Sequence, residues 1–368
     1  MPFTDPAPDK LETDSTVSPV FAPFTLPSGA TLPNRMVKAA MEENMAAAGQ
    51  LPGKELFELY HRWSRGGVGT IITGNVMVHA EALTGPAGVV LDAQSPIGPF
   101  REWADAAQGG GAKVWMQINH PGRQIQADMP GVAWSPSATR VELGKNSKRF
   151  AHPQAMTARQ INDTVNRFAT AARRAEEAGF DGVEIHAANG YLIDQFLKTS
   201  SNHRTDDYGG SIKNRARLLL EVAAAVADTI GGERTGIRLS PVTPANDAGP
   251  DSDPQATYEL IVERLAALKL AFIHVVEGAT VKKGDPILVE GDCDRLEDPQ
   301  LTFPDVKLPS VDGLPSRITD FGHMLKNLGH ELRGVLLRGL CNRNMKQVEV
   351  AIHILCNIED QLRLGSHG

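Results

Sequence analysis

The chain has 368 residues, 41% of them apolar and 22% charged, with a formal net charge of −7; that is apolar material enough for one large α/β core, and it argues against wholesale disorder. The acidic balance, with no dense Lys/Arg cluster, speaks against a nucleic acid as partner, and no stretch of about 18 uncharged apolar residues is present to cross a bilayer. Three cysteines, Cys293, Cys341 and Cys356, lie too far apart for an iron–sulfur cluster or a zinc knuckle, so no metal is expected and a reducing cytoplasm is the expected setting.

In chain order, residues 1–19 read as an acidic N-terminal arm without the apolar run of a signal peptide. From residue 20 onward, short β-branched and aliphatic runs alternate with longer amphipathic segments, the layout of a parallel sheet with crossover helices. Strands are expected at Arg35–Ala39, Gly69–Thr73, Lys113–Ile118, Gly182–His186, Gly236–Leu239 and Phe272–Val276, with helices at Lys54–Arg65, Ala158–Ala178, Ile212–Ile230 and Pro254–Leu268. Gly66–Gly67, Gly109–Gly111, Gly179 and Gly231–Gly232 stand at helix ends, where a left-handed cap is wanted. Long Pro- and Gly-rich loops, Asn119–Pro136 and Pro241–Pro254, follow strands, which places them on the face where a β/α barrel carries its active site.

Beyond residue 280 the rhythm changes. Lys282–Pro315 is rich in Asp, Pro, Leu and Gly, with one short strand at Pro286–Val289; then come a helix around Ile318–Leu332, a run Gly334–Leu337 and an amphipathic helix around Met345–Leu364. The expected fold is therefore α/β, a (β/α)8 TIM barrel whose units 1–6 span residues 20–280. Its last two units, in the divergent C-terminal segment 281–368, are atypical or incomplete as a barrel closure.

The sharpest segment is His186-Ala-Ala-Asn189-Gly-Tyr191-Leu-Ile-Asp-Gln-Phe196-Leu, at the end of an expected strand. An imidazole, an amide and a phenol within six residues are neutral hydrogen-bond donors, which suits polarising a carbonyl oxygen without bringing a full charge into the site. The alternative reading of the same spacing is a buried polar turn that satisfies backbone groups.

This stretch resembles the Old Yellow Enzyme family of FMN-dependent ene-reductases. The segments Leu32–Met41, Gly67–Val76, Gln117–Arg123, Arg204–Ser211 and Gly236–Pro241 follow in the family's order. The resemblance implies FMN as cofactor and NAD(P)H as reductant, with a small-molecule enone or other activated alkene as substrate. Flavin N5 would give hydride to the β-carbon while a tyrosine protonates the α-carbon. Carried over, His186 and Asn189 hold the substrate oxygen and Tyr191 is the proton donor. Ala39, Ala40, Met41, Gly74 and Asn75 lie against the isoalloxazine, and Gln117 meets its pyrimidine edge. Arg238 stands beside N1 and O2, where a cation stabilises the negative charge of the reduced ring.

Gln117 and Arg238 also have plain structural readings, as a strand-end cap and as a partner of interior carboxylates. Asn202–Ser211 is read as structure, with Gly209–Gly210 as a turn and Ser211 as a helix N-cap. His120 and Arg123 are read as loop structure, and His79 stays unassigned. A metal-dependent barrel hydrolase using His61, His79, His120 and His186 lacks any paired-histidine motif, and a dienoyl-CoA reductase would want more cysteines. An assembly of identical chains is left open.

Two positions depart from the family. Glu42 stands where relatives carry Thr, Ser or Cys near flavin C4=O and N5; ionised, it would lower the reduction potential, unless it points away or is protonated. No Gly-Arg-Pro phosphate loop follows Val276-Glu277-Gly278, and Arg338-Gly339 is the nearest stand-in. The alternative function is therefore a catalytically inactive flavin-fold relative that has lost the phosphate site.

Overall fold

The computed structural model describes residues 19–26, 28–241, 246–249 and 251–276. Six strands, β1 (Val37–Lys38), β2 (Thr70–Ile72), β3 (Lys113–Asn119), β4 (Gly182–Ala187), β5 (Thr235–Leu239) and β6 (Phe272–Val275), pair side by side in chain order, every pair parallel. Parallel neighbours in sequential order need a crossover after each strand, and helices supply most of it. They are α1 (Lys54–Arg65), α2 (Gly98–Gln108), α3 (Ala158–Glu177), α4 (Leu192–Leu197), α5 (Ile212–Arg215), α6 (Arg217–Ile230) and α7 (Pro254–Ala266). A further parallel pair, Val76–Met77 with Val89–Val90, joins the sheet beside β3.

The period of two along each strand sorts side chains into an inner and an outer set. Val114, Met116, Ile118, Val183, Ile185, Ile237 and Ile273 belong to the main apolar core shared with the helices. The alternate positions face the inside of the curled sheet, and there two layers form. Below, Trp115 and Phe272 meet edge to face with centroids 4.9 Å apart. With Ile72, Ala40 and the N-terminal hairpin of Phe24–Thr25 and Thr31–Leu32, they make an apolar plug. Gly182 and Gly236 make room for it, because a Cβ on either would run into the ring of Trp115 or Phe272. Above the plug, the next inward positions are Gln117, Glu184, His186, Arg238 and His274, each no more than 8% exposed.

Local chemistry explains the helix bounds. The expected span of α1 is met at both ends, and α3 opens with a capping box in which Thr157 and Gln160 satisfy each other's backbone N–H. Ser211 caps α5, its hydroxyl accepting from Asn214 N at 3.3 Å. The single helix expected over Ile212–Ile230 is instead two, parted at Ala216. Arg215, next to the break, is buried and its guanidinium donates to Leu197 O, Gly210 O and both Asp251 oxygens. These fixed partners hold the first turn against the barrel while α6 packs on α3.

The left-handed residues at the helix ends are Gly67, Gly111, Gly179 and Gly231; Gly66 and Gly109 stay right-handed. The elements expected beyond residue 280, and Arg338-Gly339, lie outside the described residues. Among the described residues no helix is long and apolar enough to cross a membrane, and no group of three His, Cys, Asp or Glu could hold a metal ion.

Candidate functional site

The C-terminal ends of β3 to β6 bring distant residues into one polar layer. Register pairs Gln117 with Glu184, and lines up His186, Arg238 and His274 across three strands. Gln117 Nε2 donates to Glu184 Oε1 at 2.7 Å, and Glu184 Oε2 meets His274 Nδ1 at 2.7 Å. Burial pushes the Glu184 carboxyl up, but His274, the Arg238 cation and the Gln117 hydrogen bond together hold it below the ordinary range, so it stays a carboxylate. Arg238 Nε is buried with no hydrogen-bond partner among the described residues.

His186 is 2% exposed, and burial first, then the neighbouring Arg238 cation, keep its imidazole well below its usual pKa. The ring is neutral at physiological pH. Its Nδ1 accepts from Ala188 N at 3.3 Å, which leaves the proton on Nε2 as a donor. Tyr191 stands edge to face on this ring, centroids 4.8 Å apart. The turn between them is held on every side. Asn189 has φ 57°, a left-handed conformation that Asn tolerates. Its N donates to Ser240 Oγ at 2.8 Å and its carbonyl accepts from Gln124 Nε2 at 2.9 Å. Gly190 N donates to Asp194, and Gln195 Nε2 donates to the carbonyls of Gly190 and Pro121. Beneath the turn, fully buried Lys198 reaches Ser240 O, Pro241 O and Tyr258 OH, 3.6 Å from Asp194.

The second group of expected residues sits at the ends of β1 and β2. Ala39 and Ala40 are buried. Gly74 lies so close under the first loop that a Cβ there would strike Met41 O and Glu43. Tyr60, from α1, clamps this corner: it donates to Glu43 Oε1 at 2.6 Å and accepts from Gly74 N at 2.8 Å. Asn75 Oδ1 is buried without a partner among the described residues. Gln117 N donates to Thr73 Oγ1 at 3.0 Å and so ties this corner to the polar layer. Glu42 accepts from the hydroxyl of Thr84.

Of the other singled-out residues, Arg123 is a strut, 1% exposed, donating to Thr139 O, Arg140 O and Asp247 O. His120 and His79 stand with ring centroids 6.1 Å apart. Sequence reasoning passed over Glu184, His274, Tyr60 and Lys198. A signal was present for the first: Glu184 lies two residues before His186, so both fall on the inner face of one strand, where a charge demands partners.

The donor set fits a flavin. A buried arginine with an unspent Nε, a glutamine edge and a corner of small residues match a flat ring with an anionic N1/O2 edge. Comparison with known proteins identifies the family. The profile of the "NADH:flavin oxidoreductase / NADH oxidase family" matches residues 19–295, reaching past the expected limit of 280. The chain is 40% identical over 266 residues to a probable flavin mononucleotide-dependent alkene reductase of Leishmania infantum, covering 69% of this chain and 72% of that one. It is 38% identical over 272 residues to the NADH-dependent flavin oxidoreductase iliE of Neonectria sp. (strain DH2), covering 69% of this chain but only 34% of the relative's length. Its structure resembles an old yellow enzyme homologue from Zymomonas mobilis, with a TM-score of 0.65, 31% identity and coverage of 73% of this chain and 77% of that one.

Proposed function

The chain belongs to the NADH:flavin oxidoreductase / NADH oxidase family, the family of the Old Yellow Enzyme, and on that premise we propose that it is an FMN-dependent ene-reductase that moves hydride from NAD(P)H to the C=C bond of α,β-unsaturated carbonyl compounds. The six described strands are then part of an eight-stranded β/α barrel. FMN bound there would supply the hydride chemistry that links the reduced nicotinamide to the alkene's β-carbon. Ala39, Ala40, Met41, Gly74 and Asn75 would line one side of the ring, and Gln117 and Arg238 would hold its pyrimidine edge.

The observation that carries the reading is the buried neutral His186 imidazole, its Nδ1 occupied by Ala188 N so that Nε2 carries the proton, with the Tyr191 ring on it. A neutral donor beside the substrate oxygen draws electron density toward that oxygen and makes the β-carbon electrophilic, yet adds no cation that would compete with Arg238 for the ring's charge. Asn189 supplies the second donor, from a turn pinned by Ser240 and Gln124. Tyr191 OH gives the proton to the α-carbon, and solvent at the mouth restores it.

The test is to add excess FMN, remove the unbound cofactor and titrate anaerobically with NADPH or NADH. Absorption near about 450 nm should be retained, should bleach on reduction and should return on addition of an enone; a colourless protein refutes the reading. Tyr191→Phe should slow the enone step by roughly 10²- to 10⁴-fold while flavin reduction changes little. Equal slowing of both steps refutes the proton-donor role.

A further inference from the structure

We propose that Glu184, backed by His274, is a positioning residue that dictates how Gln117 presents its amide, so that the Gln117 carbonyl oxygen faces the cofactor as the acceptor for the pyrimidine N3–H. The inference rests on the FMN reading above and names a residue pair outside the set that touches the ring.

The argument starts from what a glutamine amide can offer. It has one carbonyl acceptor and two N–H donors, and either end can face either way. An ionised carboxylate only accepts. Glu184 Oε1 lies 2.7 Å from the Gln117 amide, both groups being at most 1% exposed. Turning the amide over would set a carbonyl oxygen against a buried carboxylate at hydrogen-bond distance, the one arrangement that leaves both acceptors unmet. One N–H is therefore spent on Glu184. What remains is a carbonyl oxygen beside a second N–H, the acceptor–donor edge that complements a ring N3–H next to a ring carbonyl.

Two further observations say that Glu184 is held for this task rather than tolerated. Its second oxygen is taken by His274 Nδ1 at 2.7 Å, from β6, two strands away. The carboxyl is held below its ordinary range while burial holds the His274 imidazole down, so the pair is a carboxylate receiving an N–H from a neutral ring. Second, register places Arg238 between His186 and His274 on the same inner layer, so that Glu184 supplies the negative charge nearest that cation in the layer. Glu184 thus orients the neutral contact and offsets the charged one.

Two consequences separate this from a role in stability alone. Orientation means that the worth of Gln117 depends on Glu184. Charge balance means that removing the carboxylate leaves Arg238 freer to favour the reduced ring. The experiment measures the FMN dissociation constant and the reduction potential of the bound flavin for the full-length protein and for Glu184→Gln, Gln117→Leu and the double variant. Each single variant should weaken FMN binding roughly tenfold, and the double should be no more than about threefold worse than the weaker single, because once Glu184 is gone the amide is no longer aimed. The potential of Glu184→Gln should rise.

Single effects that multiply in the double variant, or a potential that stays level or falls, overturn the proposal while leaving the ene-reductase reading standing. Failure of the unaltered protein to bind FMN overturns both. If Glu184→Gln does not fold, [15N]FMN bound to the unaltered protein and to Gln117→Leu decides instead. The N3–H proton should lie downfield in the former and move upfield in the latter, and an identical position in both overturns the proposal.

Discussion

Replacing His120 by Asn should flatten the acid side of the stability profile. His120 is 2% exposed and its Nδ1 accepts from Gly122 N at 3.1 Å, so the folded chain holds the neutral imidazole. Burial chiefly, with His79 and Arg167 nearby, lowers its pKa to about 3, against roughly 6.5 in an unfolded chain. The folded pKa lies below the unfolded one, so above about pH 6.5 the residue is neutral in both states and costs nothing. As pH falls from about 6.5 toward about 3 the unfolded chain takes a proton that the folded chain refuses, and stability is lost. Between about pH 7.5 and about pH 5 the loss from this one group is about 2 kcal/mol. Asn keeps an acceptor in the place of Nδ1 and does not titrate. Urea unfolding of both proteins with excess FMN at the two pH values measures the difference, and any pH dependence of FMN binding cancels between them. The variant should lose about 2 kcal/mol less than the parent on acidification. Equal losses would show that His120 titrates normally in the folded state and that its burial has been misjudged.

Two further outcomes follow from the same contacts. Arg238→Met should lower the reduction potential of bound FMN, since a buried charge-assisted contact is worth about 1.5–3 kcal/mol and a two-electron couple converts that to roughly 30–60 mV; spectroelectrochemistry reads it, and an unchanged potential refutes the placement of Arg238 beside the ring. Lys198→Met removes the cation 3.6 Å from buried Asp194 and should cost about 3–5 kcal/mol in chemical denaturation, whereas a cost below about 1 kcal/mol would mean that the ammonium contributes little to holding the turn.

Helix α1 shows what local chemistry can settle, for its bounds are legible from amphipathic spacing and the terminal glycines alone. The strand ends are less so: β1 is the two residues Val37–Lys38 where five were expected. A strand exists only as far as its neighbour pairs with it, and that length belongs to the pair. The break at Ala216 has no local cause either, because Arg215 answers to Asp251, 36 residues on.

The sequence by itself determined the alternation of strands and helices and the closeness of His186, Asn189 and Tyr191, because these depend on periodicity and on neighbours in the chain. Only the tertiary structure decided that Gln117, Glu184 and His274, separated by 67 and 90 residues, share one hydrogen-bonded line, and that Glu42 meets Thr84, 42 residues on. Hydrogen bonds and buried charges are pairwise, and a chain read residue by residue shows each partner without showing the pair; the pairing is set by strand register, which the packing of the whole sheet fixes.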